Sequence, residues 1–263
     1  MRLAAVVFTL FSLVVLRPVY AASYYVATWG SDSSVGTNIN SPFKTITKAV
    51  NKTVAGDIVY VRAGTYREDV EMSKGGASGK PVQLLAYGTE VPLIKGSDVV
   101  TGWVQDAGPV WKRTGWVSKS QQVFVDFDAR PAKSLQQIGI PASYYGSWEY
   151  PTPVGSGRSS MVAGSFYHDP ATSTLYVWLP DGSSPNNHVM EVSVRQRLLH
   201  LAAPYVTVSG FAFRHSNTSA FVAQGAAVEL SSYSLLQNCD IAYMDFAGLN
   251  MGYKQSGAQV QQE

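Results

Sequence analysis

The chain has 263 residues, enough for one large domain or two smaller ones, and 46% of them are hydrophobic. Lys and Arg number 20 against 18 Asp and Glu, a balance that excludes a general attraction for nucleic acid or anionic lipid. The single cysteine, Cys239, excludes an intramolecular disulfide, so stability must come from an extensive core.

At the N-terminus, Arg2 precedes an apolar run from Leu3 to Leu16, followed by Pro18 and the small-residue pattern Val19-Tyr20-Ala21. The run is shorter than the ~20 residues that a membrane span needs. It predicts a secretory signal peptide over residues 1–21, cleaved after Ala21 or Ala22. Cleavage removes Arg2 and Arg17 and leaves 18 basic and 18 acidic side chains. The expectation is a secreted or periplasmic protein with no membrane association after cleavage and no nucleic-acid partner.

Residues 22–102 begin with an extended stretch at Tyr24–Ala27 and a Gly/Ser/Asn loop. "SPFKTITKAVNKTVAGD" then sets Phe43, Ile46, Ala49 and Val50 on one helical face. Ser41 is the expected N-cap, Pro42 opens the first turn, and Gly56 ends a helix over 42–54. In "GDIVYVRAGTYRED" residues 58–61 form a strand and Gly64-Thr65-Tyr66 a turn into more extended chain. Strands follow at 82–86 and in "VPLIKGS" (91–97).

Residues 103–200 differ in texture and hold five of the six tryptophans. Two hairpins are expected, one flanking Phe127-Asp128 and one flanking Asp169-Pro170-Ala171. Together they describe a β-sandwich-like insertion.

Residues 201–263 return to short strands. Setting "YVTVSGFAFRHSN" over "YSLLQNCDIAYMD" at an offset of 28 matches Val208 with Leu236, Gly210 with Asn238, Phe211 with Cys239 and Phe213 with Ile241. Second strands fall at "GAAVELS" (225–231) and "AGLNMG" (247–252). Such repeats mark a solenoid. The reading is an all-β right-handed parallel β-helix with an N-terminal cap helix over 42–54 and an inserted β-rich subdomain. Cys239 becomes a small apolar residue of an inward stack.

"YYVATWGSDSSVGTNINSPFKTITKAVNKTVAGDIVYVRAGTYRE" followed by "GKPVQLLAYG" resembles the entry segment of secreted right-handed parallel β-helix, pectate-lyase-like proteins that act on polysaccharides. The middle zone, "FYHDPATSTLYVWLPDGSSPN" and then "YVTVSGFAFRHSN", is similar to β-helix glycoside hydrolases with an intercalated β-sandwich, such as certain β-xylosidases. The resemblance implies a polysaccharide or oligosaccharide partner and a glycoside hydrolase lineage. Polysaccharide lyase is the second reading, and a non-catalytic glycan-binding or adhesin module the third.

Hydrolysis of a glycoside needs two carboxyls. The stacks visible in the sequence are Asn217/Asp245, Ala212/Asp240 and Glu229/Asn250, and none pairs two acids. Asp240 and Asp245 are the catalytic candidates, as acids that later coils would complete; otherwise they read as solvated surface acids. Arg214 and His215 are candidate substrate-binding groups at a turn, on an outward face shared with both acids. Trp148 and Tyr145, in the "YYGSWEYP" loop, are candidate sugar-stacking aromatics. No metal or other cofactor is expected: "GSDSS" and "DFD" are too sparse for a cage, and calcium would enter only with a lyase. The sequons at Asn51 and Asn217 read as chance. "AGLNMGYKQSGAQVQQE" runs from a strand into polar residues without a closing cap, so the chain is expected to be a truncated form of a longer enzyme.

Overall fold

The computed structural model describes residues 21–128, 133–139, 154–218, 226–252 and 256–262. The expected signal peptide, Tyr145 and Trp148 lie outside them. The described residues are almost entirely strand and turn, with one short α-helix, Ile46–Val50.

Three sheets are wholly parallel. The first stacks Ser23–Val26, Ile58–Val61, Val82–Ala86, Val206–Ser209, Leu235–Gln237 and Gln259–Gln261. The second stacks Gly64–Tyr66, Pro92–Lys95, Ala212–Arg214 and Asp240–Ala242. The third stacks Val70–Met72, Leu199–Leu201, Val228–Glu229 and Leu249–Asn250. From Ile58–Val61 onward the chain visits the three in turn, laying one strand on each before it returns to the first. The register at the offset of 28 is as expected: Val208 pairs Leu236, Ala212 pairs Asp240 and Phe213 pairs Ile241.

Alternation along each strand explains why these segments stack. Val59, Leu84, Val208 and Leu236 form one inward row, each essentially without solvent exposure. Ile94 and Phe213 continue the core from the second sheet, and Val70, Leu199 and Val228 from the third. Each fully buried side chain of this kind contributes about 1.5–3 kcal/mol. Half-buried Cys239 packs against this core, and burial pushes its thiol pKa up, as suits an apolar stack residue.

The corners of each circuit repeat too. Tyr205, Gly210 and His215 have positive φ, and so do Tyr233, Asn238 and Tyr243, one circuit later. A left-handed residue at each corner swings the strand onto the next sheet. Glycine or asparagine takes that conformation readily, whereas tyrosine or histidine takes it at a cost of about 1–3 kcal/mol. Stacking of like corners offsets that cost, and the Tyr205 and Tyr233 rings lie 4.9 Å apart and nearly parallel.

Two expectations for the N-terminal segment need correction. The helix spans five residues rather than 42–54, and its N-cap is Thr45, whose hydroxyl accepts from the Lys48 N–H. Phe43 is drawn instead into a parallel bridge with Val26, donating its N–H to Tyr25 and accepting from Ala27. The Asp32 and Glu68 carboxylates take up the N–H groups of residues 44–47. At the other end, Asn51 is the C-cap and the Thr53 hydroxyl donates to the Val50 carbonyl. Gly64–Tyr66, expected as a turn, is a strand of the second sheet, and Tyr66 is buried.

Between Pro92–Lys95 and Leu199–Leu201 the pattern changes. Lys133–Ser134, Val123–Val125, Met190–Ser193 and Ser97–Val99 form an antiparallel sheet. A mostly antiparallel sheet takes Gln136–Gln137, Ser165–Asp169, Thr174–Trp178, Val110–Thr114 and Val104–Ala107. The two expected hairpins are present here. This region has its own core, with Trp103, Phe166, Leu175 and Met190 buried and Trp111 and Trp116 packed against it.

Candidate functional site

Among the described residues, Arg214, His215, Asp240 and Asp245 do not share one outward face. Arg214 and Asp240 do face outward on adjacent rungs of the second sheet, and they bind each other. The Arg214 guanidinium contacts the Asp240 carboxylate and donates to the Asp240 and Phe213 carbonyls at 2.9 and 2.8 Å. Such a closed pair neutralises its own charge.

His215 is a correction. It is not on the outward face but fully buried beneath the antiparallel region. Its ring stacks on Phe124 at 3.7 Å, meets the edge of Phe127, and has Nδ1 2.9 Å from the Ser97 hydroxyl. Burial, followed by the charges of Lys95 and Arg67, pushes its pKa down to about 3, so the ring is neutral at physiological pH. Asp245 is not a solvated surface acid either. One carboxylate oxygen accepts from the Ser216 hydroxyl and from the Thr218 N–H and hydroxyl, at 2.8–2.9 Å, and burial raises its pKa against those bonds. Asn217, the second sequon residue, is buried and accepts from the Gln121 N–H.

A charged hub surrounds His215. Lys95, with no exposure, sits 3.0 Å from buried Glu191 and 2.9 Å from the exposed carboxylate of Asp128. Arg67 reaches the other side of Glu191 at 2.5 Å and donates to the Ser97 carbonyl. Two cations and two anions balance, and every contact lies between the parallel sheets and the antiparallel region. The hub is a fastening.

A different cluster lies on the outer face of the third sheet. Glu71, His200, Glu229 and Asn250 occupy the same register position on four successive rungs. Their apolar neighbours Val70, Leu199 and Val228 point inward, so alternation turns these four outward. Asp69 and Arg197, just before two of these strands, extend the patch. The Arg197 guanidinium faces three carboxylates, Asp69 at 3.9 Å, Glu71 at 3.6 Å and Glu229 at 3.8 Å. His200 lies between Glu71 and Glu229, 3.8 and 3.7 Å from them. Arg197 and His200 are themselves 2.8 Å apart.

The separations of the carboxylates from Arg197 and His200 are longer than hydrogen bonds. The carboxylates are therefore gathered around the cation without closing on it, and Glu229 also accepts the Ala226 N–H at 3.3 Å. Burial raises the pKa of Asp69, with Glu71 and Glu229 adding to it and Arg197 opposing it. Three carboxylates against one guanidinium leave an excess of negative charge. Among the described residues no group of three His, Cys, Asp or Glu is arranged to hold a metal ion. The sequence showed Glu229 over Asn250 but not the two rungs below, because Glu71 and His200 are separated by the whole antiparallel region.

Residues 28–72 match the model of a family described as a protein of unknown function, DUF1565. Pectate lyase PEL9 of Emericella nidulans is 37% identical over 83 residues, which are 31% of this chain and 20% of that protein. The chain thus spans about a fifth of that relative's length. Among solved structures, the complex of XylC with xylose superposes with a TM-score of 0.59 at 21% identity, covering 84% of this chain and 41% of XylC. A glycoside hydrolase superposes at 0.63 with 14% identity, covering 87% of this chain and 63% of that one. At these identities the superpositions speak to fold. The chain resembles the pectate-lyase-like parallel β-helix proteins, as its N-terminal sequence indicates. Among the described residues no helix is long and apolar enough to cross a membrane.

Proposed function

We propose that the chain belongs to an exported carbohydrate-active protein of a glycoside hydrolase lineage, and that the outer face of the third sheet is its glycan-handling surface. The frame we infer is a right-handed parallel β-helix, with Ile46–Val50 and its flanking loops as the N-terminal cap. The inserted subdomain, expected at about 103–200, overhangs one side. The observation that carries the functional reading is the set of three carboxylates around Arg197 at 3.6–3.9 Å. Glu71 and Glu229 stand two rungs apart and converge with Asp69 on one guanidinium, which gathers the paired carboxyls that glycoside hydrolysis needs.

In this reading Asp69, whose burial favours the protonated form, donates its proton to the glycosidic oxygen as the bond to the anomeric carbon breaks. Glu229 takes a proton from the water that attacks the opposite face of the sugar. Arg197 holds Glu71 and Glu229 in place. The excess negative charge disfavours a uronate polymer, whose own carboxylates it would repel, and so supports hydrolysis over elimination. Similarity to a pectate lyase over 83 residues is what favours the second reading.

A polysaccharide panel separates the readings. New reducing ends without unsaturated uronate support hydrolysis, both signals together support a lyase, and retention without either supports a binding module. On a hydrolysed substrate, Glu229→Gln and Asp69→Asn should each lower kcat by about 10²–10⁴-fold. Unchanged rates in both variants would remove this face from the chemistry.

A further inference from the structure

A second surface lies around the circuit from the acidic face. Where the first and second sheets meet, a cleft of about 810 Å³ opens over Gln83, Leu85, Thr207, Ser209 and Gln237. Its size falls within the usual range of small-ligand sites. Gly210 shapes the floor: its φ is +85°, and a Cβ there would meet Ala86 at 2.7 Å. The charges at the rim are paired, Arg214 with Asp240 and Arg62 with Glu90. What the cleft offers is therefore amides, hydroxyls and apolar patches such as Val91, which is 59% exposed.

An aromatic platform adjoins it. Tyr25 and Tyr60 are in register on adjacent rungs and alternate with inward Val26, Val59 and Val61. Their rings stack at 5.6 Å, and Tyr87 stands edge-on to Tyr60 at 6.1 Å. All three are half-exposed. Tyr87 lies between Ala86 and Gly88, both of which line the cleft, and Arg62 covers its ring at 4.9 Å while gripping Glu90 of the rim. Platform and cleft are continuous.

We propose that this corner binds an uncharged oligosaccharide, with sugar rings lying on the Tyr25/Tyr60/Tyr87 platform and hydroxyls bonding to the Gln83, Ser209 and Gln237 side chains. Aromatic faces take the C–H faces of sugars, and amides can both donate and accept along a polyhydroxyl chain. Pairing of every rim charge leaves nothing to reward a uronate. The site goes beyond the cleavage reading and stands without it, because it lies on other sheets.

Isothermal titration of the full chain with xylohexaose and with trigalacturonate tests this. Xylohexaose should bind, and trigalacturonate should bind at least about tenfold more weakly. Tyr60→Ala and Tyr87→Ala should each weaken xylohexaose by about tenfold, and Gln237→Ala by a smaller factor. Tyr60→Phe, which keeps the stack and the fold, should bind as the parent does. Glu229→Gln should also leave this binding unchanged, which keeps the test separate from that of the acidic face. The proposal is overturned if neither sugar binds, if trigalacturonate binds as well or better, if the tyrosine and glutamine variants bind normally, or if Glu229→Gln abolishes binding.

Discussion

Lys95 and Arg214 hold the same register position on adjacent rungs of the second sheet, yet their surroundings are opposite. Lys95 lies under the antiparallel region and is completely buried, so its ammonium is matched at close range by Glu191 and Asp128. Arg214, one rung further on, keeps some exposure and pairs with the exposed carboxylate of Asp240. The third sheet extends the contrast, for its outward charges around Arg197 stand at 3.6–3.9 Å rather than 2.5–3.0 Å. Cover converts an outward charged position into an architectural one. Without cover, an outward charge either closes on a neighbour, as Arg214 does on Asp240, or stands open, as around Arg197.

The largest expected effect breaks the covered cluster. Glu191→Ala leaves buried Lys95 and half-buried Arg67 without the anion they share and should cost about 3–5 kcal/mol, read from denaturant midpoints. If the cost is under about 1 kcal/mol, the hub does not fasten the two regions together.

Acid attacks the same hub through His215. Its folded pKa of about 3 lies below its ordinary 6.5, because burial and the charges of Lys95, Arg67 and Arg214 outweigh the opposing pull of Asp128. Between those values the unfolded chain binds the extra proton. Stability is therefore full above pH 6.5 and falls by up to about 1.4 kcal/mol per pH unit as pH drops toward 3. His215→Asn, which tolerates the left-handed corner, should flatten that slope relative to the parent.

Asp128→Asn should cost less, about 1 kcal/mol, because its carboxylate is largely exposed and Lys95 retains Glu191. Smallest of all, Glu71→Gln should change stability by no more than about 0.5 kcal/mol. A large loss there would make the third-sheet cluster a structural one and erase the contrast.

Much of the frame is legible in the sequence because it is local and periodic. Apolar residues alternate along short strands, and the offset of 28 alone brings Val208 over Leu236 and Phe213 over Ile241. The helix is shorter than its pattern suggests because Pro42-Phe43 carries a helical signal but answers to Val26 across the loop. The burial of His215 is not legible, because a turn residue after a strand looks exposed until a remote segment covers it.

By itself, then, the sequence determined the stacking of coils, since neighbouring turns of one period must bury matching apolar residues. Only the tertiary structure decided what the outward residues do. Glu71 and His200 become neighbours across the entire antiparallel region, and Lys95 owes its burial to Asp128 and Glu191 from that same region. The physical reason is that an inward residue is governed by its own strand and the next rung. An outward residue is governed by whatever distant chain is, or is not, laid over it.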